Sequence, residues 1–431
     1  MVKLKNLFKG DRAIWVVYFF LCIISLVEVY SAASTLAYKD GSFLMPLLKQ
    51  AVFLVVGCVC AVVVHRIPCR KFKVLPVFLG QPLLFLVAFT TLYGSMTNGA
   101  ARWVGYGIFQ FQPSELAKGI VIIAEALILA RMQREKGADP KAFKYILIVT
   151  LAFDIFILPE NLSTALLLFG VSFVMMWVGR VPYLQLGKLM GVCGILAMVG
   201  LFTLLNLPDD QKSGIYDVPG LHRVYTWKQR IDRHSSDVVP PDSFDLDKNA
   251  QRAHANIAIA SCNVVGKMPG NSVERDFLSQ AFSDFIYAII IEEMGLWGAV
   301  LVVFLYVVLL FRAGRIAGRC ERSFPAFLAM GLALLLVSQA VLNMLVAVGI
   351  FPVTGQTLPL ISRGGTSTIV NSIYIGMILS VSRYARKTRE PVDSLIVPPA
   401  SAAGGAPADK AQPTAVVPAP KDQPAAPQAE D

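Results

Sequence analysis

Long apolar segments recur along the chain, and shorter polar stretches separate them. Several exceed the roughly 18 consecutive apolar residues that mark a membrane-spanning helix. Hydrophobic residues make up 55% of the sequence, above the roughly 45–50% typical of soluble domains. We therefore predict an all-α polytopic membrane protein with about ten transmembrane helices. The predicted spans cover residues 14–34, 45–64, 74–93, 114–130, 145–158, 162–179, 185–206, 284–311, 324–350 and 366–382.

Basic residues follow a second pattern that orients these spans. Lys and Arg concentrate in the N-terminal segment and in every second connection after it, such as Lys141 and Lys144 before the fifth span. Because cytoplasmic loops are enriched in Lys and Arg, both termini are predicted to lie in the cytoplasm, with the protein in the cytoplasmic (inner) membrane. The net charge of +10 is then mostly an orientation signal. It favours contact with anionic membrane lipids over nucleic acid.

Composition divides the chain into three parts. Residues 1–13 form a basic cytoplasmic N-terminus, and residues 14–389 form the ten-helix membrane domain. Residues 390–431 are rich in Pro and Ala without apolar periodicity, which predicts a disordered cytoplasmic tail. Within the membrane domain, residues 207–281 form one large extracytoplasmic loop. Loops of such length in compact proteins are usually functional or disordered, and we expect this one to be functional.

Gly, Pro and hydroxyl residues concentrate between the last two predicted spans, from Gly349 to Ser367. Irregular backbone at membrane depth is tolerated where it lines a cavity, since lipid would leave its amide groups unsatisfied. This predicts a re-entrant loop before the last helix; the simpler alternative is a plain connector. The run from Ser362 and Arg363 to Gly365 suits anion binding by backbone amides and a guanidinium.

An ionisable pair opens the fourth predicted span. Pro113 precedes Glu115, and Lys118 follows Glu115 at the i+3 position on the same helix face. The residues alone allow two interpretations. One is a structural ion pair at a helix start; the other is a site where the helix N-terminus, Lys118 and nearby Arg102 bind an anionic head group.

Asp284 stands at the predicted outer start of the eighth span. An Asp in such a position is more often a helix N-cap than a catalyst. However, Phe282, Phe285 and Tyr287 would surround the carboxyl group with aromatic rings, an environment that suits a working general base. Both interpretations stay open on these residues alone.

Two further carboxyl groups follow Asp284 about two helical turns deeper. Glu292 and Glu293 are interpreted as internal polar packing, because they lie deep within the predicted span. The glycines after them, Gly295 and Gly298, allow a kink or close helix packing.

Motifs in a fixed order give the chain a resemblance to a known family. It resembles the SEDS family, the FtsW/RodA polytopic proteins of bacterial division and elongation, from about Arg12 to Arg386. The matching segments are NGAARW at 98–103, FQPSELAK at 111–118, SDFIYA at 283–288 with EEMG at 292–295, and GQTLPLIS at 355–362 followed by GG. They are similar to the family patterns NGA-x-RW, FQPSE-x-AK, TDFIFA with EELG, and TG-x-x-LPFIS-x-GG.

The resemblance implies a peptidoglycan glycosyltransferase that polymerises lipid II at the outer face of the membrane, by inverting glycosyl transfer. In that family the aspartate that matches Asp284 is the essential one. Asp284 would act as general base on the acceptor sugar, and the leaving group would be a lipid diphosphate. The implied partners are a class B penicillin-binding protein and other division proteins. General resemblance favours a septal role over one in elongation.

The leaving diphosphate calls for positive charge around it. The residues placed in the substrate site are Arg102, Glu115, Lys118, Arg223, Arg230, Ser362 and Arg363. A divalent cation, Mg or Mn, could share this task, although no ligand cluster with diagnostic spacing is present.

The chain also departs from the family pattern. Phe282 and Ser283 stand where the family commonly has His and Thr, and Arg363 stands where an aromatic residue is usual. The segment from Glu160 to Thr164 matches the family's PDLGT only loosely, as Lys267 to Ser272 does its glycine-rich G-x-G-x-x-S. These differences affect the assignment of substrate-binding residues more than they affect the assignment to the family.

Two other functional classes remain as alternatives. A flippase for the lipid-linked precursor would carry intramembrane charges such as Lys49, Glu125 and Asp154 along a path, and inverted repeats, which are not apparent, would support it. A non-enzymatic scaffold that recruits a penicillin-binding protein would not need Asp284.

Overall fold

Each predicted span contains a helix. The computed structural model describes residues 8–31, 44–93, 95–97, 100–104, 111–159, 161–206, 224, 227–228, 246–278 and 282–387. In these residues the helices are α1 Arg12–Ser31, α2 Leu44–Val64, α3 Leu75–Tyr93, α4 Pro113–Arg131, α5 Pro140–Ile157, α6 Leu162–Val178, α7 Tyr183–Asn206, α8 Leu246–Ala260, α9 Ile286–Ala317, α10 Ser323–Ala347 and α11 Thr366–Lys387. Short 3-10 helices cover Cys69–Val74 and Glu274–Asp276.

Two small hairpins complete the described elements. Strand β1 (Ser95–Thr97) pairs antiparallel with β2 (Ala100–Trp103) between α3 and α4. Strand β3 (Gln133–Arg134) pairs antiparallel with β4 (Gly137–Ala138) between α4 and α5. Both hairpins therefore close connections at opposite ends of α4.

Six of the described helices are long and apolar enough to cross a membrane. They are Arg12–Ser31, Leu47–Val64, Cys69–Thr91, Tyr183–Asn206, Ile286–Ala317 and Ser323–Ala347, and the shorter Leu162–Val178 is apolar as well. The protein is thus an all-α polytopic membrane protein, as predicted. The number of ten crossings stays a prediction. Helices α4 and α5 carry the buried ionisable residues Glu125 and Asp154.

Local capping explains where the middle helices begin. The side chain of Asp139 accepts a hydrogen bond from the backbone N–H of Lys141, with Pro140 in the first helical position. This cap starts α5 five residues before the predicted boundary, because an N-cap carboxylate satisfies a free helical N–H. Asn161 caps α6 in the same way by accepting from the backbone N–H of Thr164 at 3.2 Å.

Helix α10 lies at the centre of the bundle. It packs against α9, α4, α11 and α6, while α11 packs against α2, and α1 packs against α9. In contrast, α7 contributes one buried residue, Leu186. Large apolar side chains are exposed on the outer helices, including Phe78, Phe85, Met198 and Phe304, as a surface facing lipid requires.

Helix α9 is broken at Gly295. Its backbone there has φ +68° and ψ −164°, which is non-helical and belongs to glycine. The loop that follows α8 docks at this break, where the N–H groups of Lys267 and Met268 donate to the carbonyls of Glu292 and Glu293 at 2.9 and 2.8 Å. The predicted kink at this glycine is therefore confirmed, and its cause is a loop that supplies the missing backbone partners.

The side chains of Glu292 and Glu293 hold the same loop. Glu292 accepts from the ammonium of Lys267 at 2.7 Å and from the hydroxyl of Ser272 at 2.5 Å. Glu293 accepts from Ser31 of α1 and lies 3.8 Å from the guanidinium of Arg275. Both glutamates are fully buried, so their interpretation as internal polar packing is confirmed.

Candidate active site

Asp284 lies just outside the first turn of α9. Phe285 occupies the N-cap position and makes no side-chain capping bond, so Asp284 does not hold the position that the capping interpretation gave it. Its carboxylate is half-buried and accepts a hydrogen bond from the hydroxyl of Ser283 at 2.8 Å. Because the carboxylate is partly exposed and oriented by Ser283, a ligand that approaches from the protein surface can contact it.

The aromatic residues beside Asp284 take different roles. Phe285 is fully buried, and the hydroxyl of Tyr287 donates to the carbonyl of Ala299 across the break in α9. Phe282 is half-buried. Both Phe285 and Tyr287 thus anchor the segment in the core, and an aromatic enclosure of the carboxyl group stays a prediction.

Each backbone carbonyl of residues 282–284 accepts a hydrogen bond from a different partner. The N–H of Arg363 donates to Phe282 at 3.0 Å, and the hydroxyl of Ser362 donates to Ser283 at 2.8 Å. The side-chain amide of Asn343 donates to Asp284 at 3.0 Å. Since all three positions are held, the backbone that carries the catalytic candidate is fixed from the 349–365 loop and from α10.

The 349–365 loop is irregular backbone packed inside the protein. Gln356, Leu358 and Leu360 are buried, and Leu360 adopts a left-handed φ of +68°. The hydroxyl of Ser362 also accepts from the N–H of Leu358 at 2.8 Å. The prediction of a re-entrant loop is confirmed, because this chain segment finds its partners within the bundle.

Side chains of α10 and α9 satisfy the carbonyls of this loop. Asn343 donates to the carbonyl of Gln356 at 2.7 Å, and Gln339 donates to that of Thr357 at 3.0 Å. The hydroxyl of Tyr306 donates to the carbonyl of Pro359. One amide, Asn343, therefore contacts both the loop and the Asp284 segment.

The first turn of α6 supports the loop from another side. The hydroxyl of Ser163 donates to the carbonyl of Thr354 at 2.7 Å. The amide of Gln356 donates to the hydroxyl of Thr164 at 2.5 Å. The segment that matches PDLGT only loosely thus still holds the loop through two hydroxyl groups.

Lys118 is linked to the 349–365 loop through the side chain of Gln339. Its ammonium donates to Glu115 and to the amide oxygen of Gln339, both at 2.8 Å, and the side chain is fully buried. The structural ion pair is the interpretation that the structure shows. Direct contact of Lys118 with an anionic head group stays a prediction and would require this network to open.

The other predicted cations differ in what the structure describes. Arg363 is half-exposed beside the Asp284 segment. Arg102 belongs to β2, and only its backbone is among the described residues. Arg223 and Arg230 lie outside the described residues. Asp284, Ser362 and Arg363 are therefore the predicted site residues that the described structure brings together directly.

A divalent cation was also predicted for this site. In the described part of the chain, no group of three or more His, Cys, Asp or Glu side chains could hold a metal ion. The described residues alone form no metal cage, and a divalent cation stays a prediction.

Sequence comparison places the chain in a family. Residues 11–387 match the FtsW/RodA/SpoVE family, which is described as cell cycle protein. The chain belongs to this family.

Relatives within the FtsW/RodA/SpoVE family share the full length of the membrane domain. A protein of Geobacter metallireducens named probable peptidoglycan glycosyltransferase FtsW is 29% identical over 395 residues, which cover 90% of this chain and 98% of the relative. The protein of the same name from Geobacter sp. (strain M18) is 30% identical over 376 residues, 85% of this chain and 95% of the relative.

Solved structures of the family share the fold. RodA from Thermus thermophilus superposes with a TM-score of 0.59 at 24% identity, covering 88% of this chain and 98% of RodA. A chain described under "Structural coordination of polymerization and crosslinking by a peptidoglycan synthase complex" gives a TM-score of 0.64 at 25% identity, with 87% and 98% coverage.

Sequence reasoning missed the amides that organise the site of this family member. Gln339 and Asn343 stand four residues apart on one face of an otherwise apolar helix, and both are buried. Polar side chains at that spacing and depth are expensive unless they are paired. That pattern was a usable signal for a hydrogen-bonding role.

Proposed function

We propose that the protein is a peptidoglycan glycosyltransferase. It polymerises lipid II into glycan strands at the outer face of the cytoplasmic membrane, for septal wall synthesis in cell division. The family and the names of its relatives support the reaction class. The single observation that carries the proposal is the segment 282–284, whose three backbone carbonyls are held by Arg363, Ser362 and Asn343 and which carries the half-buried Asp284.

The reaction forms one glycosidic bond and breaks one bond to phosphate. The acceptor sugar's 4-hydroxyl oxygen attacks the anomeric carbon of the donor, and the carboxylate of Asp284 takes the hydroxyl proton. The bond from the anomeric carbon to the lipid diphosphate breaks with inversion, and the diphosphate leaves as an anion. General-base assistance of this kind contributes about 10²–10⁴-fold to a rate.

Positive charge must meet the departing diphosphate. Arg363 is bound through its backbone N–H to the carbonyl of Phe282, two residues before Asp284, and a guanidinium can pair two phosphate oxygens at once. Arg102, Arg223 and Arg230 are proposed to share this role. Lys118 is assigned a positioning role, since its buried ammonium contacts the loop through Gln339.

A fixed loop is what this chemistry requires of the scaffold. A misplacement of the base by about 1 Å can cost on the order of 10²-fold in rate. The hydrogen bonds from Asn343, Ser362 and Arg363 limit such displacement of residues 282–284. The active-site residues belong to connections between helices, and hydrogen bonds to the rigid helices hold these connections in place.

A class B penicillin-binding protein is the proposed partner, together with other division proteins. A synthase complex that coordinates polymerization with crosslinking contains a chain of the same fold. Crosslinking acts on the strands that polymerization produces, so the two activities gain from proximity.

The experiment combines the purified protein, its partner and labelled lipid II. Wild-type protein is expected to form polymer, and Asp284→Ala is expected to form none while its thermal unfolding is unchanged. Asp276→Ala serves as the matched control, because that carboxylate is 53% exposed and outside the site. Equal polymer from Asp284→Ala and wild type would exclude Asp284 as the general base, and equal polymer from the partner alone would favour a scaffold.

The flippase alternative requires a charged path across the membrane. Glu125 and Asp154 are buried among α4, α5 and α6. Lys49 belongs to α2, which packs against α11 and α1, so the three residues do not share one helix interface. Translocation of labelled lipid II by the isolated protein in vesicles, without polymer, would favour the flippase.

A further inference from the structure

A basic pocket lies at the end of the bundle opposite Asp284. It has a volume of about 440 Å³ and is open on one side. The β3–β4 hairpin and the turn between α6 and α7 form its walls. The lining residues are Arg134, Lys136, Gly137, Ala138, Arg180, Val181, Pro182 and Tyr183.

The backbone segments that form this pocket pack closely against each other. The N–H of Ala138 donates to the carbonyl of Arg180 at 3.1 Å, which joins the hairpin to the α6–α7 turn. Gly137 has φ +140°, and a side chain there would place its Cβ 2.7 Å from the same carbonyl. Arg180 itself adopts a left-handed φ of +56°. Such a conformation costs free energy for a non-glycine residue and persists where the surrounding structure demands it.

The lining carries positive charge without a carboxylate. Arg134, Lys136 and Arg180 are exposed, and the lining includes no Asp or Glu. Asp139 lies behind the lining and pairs with Arg134. The backbone N–H of Lys141, and then the guanidinium of Arg134, lower the pKa of Asp139, so this carboxylate stays ionised and can hold Arg134 in place.

The pocket also lies where two helices of the bundle end. Arg131 and Val178 end the apolar helices α4 and α6 beside it. Two exposed aromatic side chains, Trp177 at 57% and Tyr183 at 72%, flank it. Aromatic residues of this kind mark the head-group region of a bilayer. Leu184 and the apolar surface of α7 continue from the pocket toward the membrane interior.

We propose that this pocket binds the phosphate head group of an anionic membrane lipid. Arg134, Lys136 and Arg180 contact the phosphate oxygens, and the acyl chains lie along the exposed faces of α6 and α7. Basic pockets between helices on the cytoplasmic side suit such head groups. The proposal does not depend on the glycosyltransferase function.

The competing explanation is that these three cations only orient the helices. In that case any Lys or Arg of the basic face would contribute equally, because orientation depends on the number of charges. A specific binding site requires instead that lipid binding depend on the cations at particular positions. Arg315 and Arg319 provide the matched comparison, since Arg315 lies in the last turn of α9, Arg319 lies just after that helix, and neither lines the pocket.

The test measures lipid retention by native mass spectrometry of the purified protein. Wild type and Arg315→Gln/Arg319→Gln are expected to retain phosphatidylglycerol through delipidation. Arg134→Gln/Arg180→Gly is expected to lose retention on the order of tenfold. Glycine suits the left-handed backbone at residue 180. Lys136→Gln is a second variant, at an exposed residue, that should also weaken retention.

Three results would overturn the proposal. Equal losses of lipid retention in the pocket and control variants would show that retention depends on total charge alone. Unchanged retention in all pocket variants would show that the pocket does not bind the lipid. Equal protection of wild type against thermal unfolding by glycerol 3-phosphate and by phosphatidylglycerol would assign the pocket to free phosphate and not to a lipid. Phosphatidylcholine, which carries no net charge, is expected to give no protection.

Discussion

At the scale of single residues, the site depends on short polar side chains that hold backbone. Ser362 donates to one carbonyl and accepts from one N–H, and Asn343 donates to two carbonyls. None of these roles follows from a residue's type alone. The sequence indicated Asp284, Ser362 and Arg363 through motif and charge, whereas the partners of each group depend on how the loop and α10 meet.

Removing the hydroxyl beside Asp284 tests whether that hydrogen bond orients the carboxylate. Ser283→Ala is expected to lower polymerisation about fivefold, because one hydrogen bond of about 1 kcal/mol is lost. Ser283→Thr keeps the hydroxyl and should stay within about twofold of wild type. Equal rates for the two variants, measured with labelled lipid II, would deny the hydroxyl this role.

Removing the buried ammonium tests the assignment of Lys118 as an internal ion-pair partner. Lys118→Met leaves the Glu115 carboxylate buried without its cation, which should cost about 3–5 kcal/mol in the free energy of unfolding. Glu115→Gln combined with Lys118→Met should recover most of this loss, because no buried charge remains. Chemical unfolding in detergent measures the free energy of unfolding of both variants. Lys118→Met with the stability of wild type would contradict the assignment.

At the scale of elements, apolar length identified the helices well. All ten predicted spans contain a helix, since a long apolar run has few alternatives in a membrane. Boundaries depended on caps: Asp139 starts α5 early, and α11 continues to Lys387. Helix α8 was not predicted, because its sequence is polar and lies in the large loop. The predicted kink at Gly295 was correct, but its docking partner was not visible in the sequence.

A substitution at the break in α9 tests how the loop after α8 is docked. In Gly295→Ala the new Cβ would lie 2.5 Å from the backbone of Gly266 and of Val264. The left-handed φ adds strain, so we expect a loss of about 2–3 kcal/mol in the free energy of unfolding. Faster tryptic cleavage at Lys267 should accompany it, as the loop separates from Glu292.

Gly191→Ala is the control for this substitution. Gly191 lies in α7 with open space around the added Cβ, and alanine favours a helix over glycine by up to about 1 kcal/mol. The control should therefore be as stable as wild type or slightly more stable. Gly295→Ala with wild-type stability would show that the break in α9 tolerates a side chain.

At the scale of the whole molecule, the helical bundle carries a proposed site at each of its two ends. The end that carries Asp284 is predicted to face outward, and the end that carries the basic pocket is predicted to face the cytoplasm. Charge asymmetry between loops supports this orientation. The bundle itself does not reveal it, because the same packing would satisfy either direction in the membrane.

Cysteine labelling in intact cells tests the orientation. In a background without the native cysteines, Lys267→Cys is expected to react with a membrane-impermeant maleimide, since that residue lies at the predicted outer end. Lys136→Cys, in the β3–β4 connection, is expected to react after the membrane is opened. The opposite result would reverse the topology and place Asp284 in the cytoplasm.

The central claim is that Asp284 accepts the acceptor's proton during glycosyl transfer. Lipid II binding and single-turnover polymerisation by Asp284→Asn, measured in the same preparation, test it most directly. We expect lipid II binding by the variant within about threefold of wild type and a rate at least about 10²-fold lower, as for a lost general base. A rate within tenfold of wild type, or a loss explained by weaker binding alone, would contradict it.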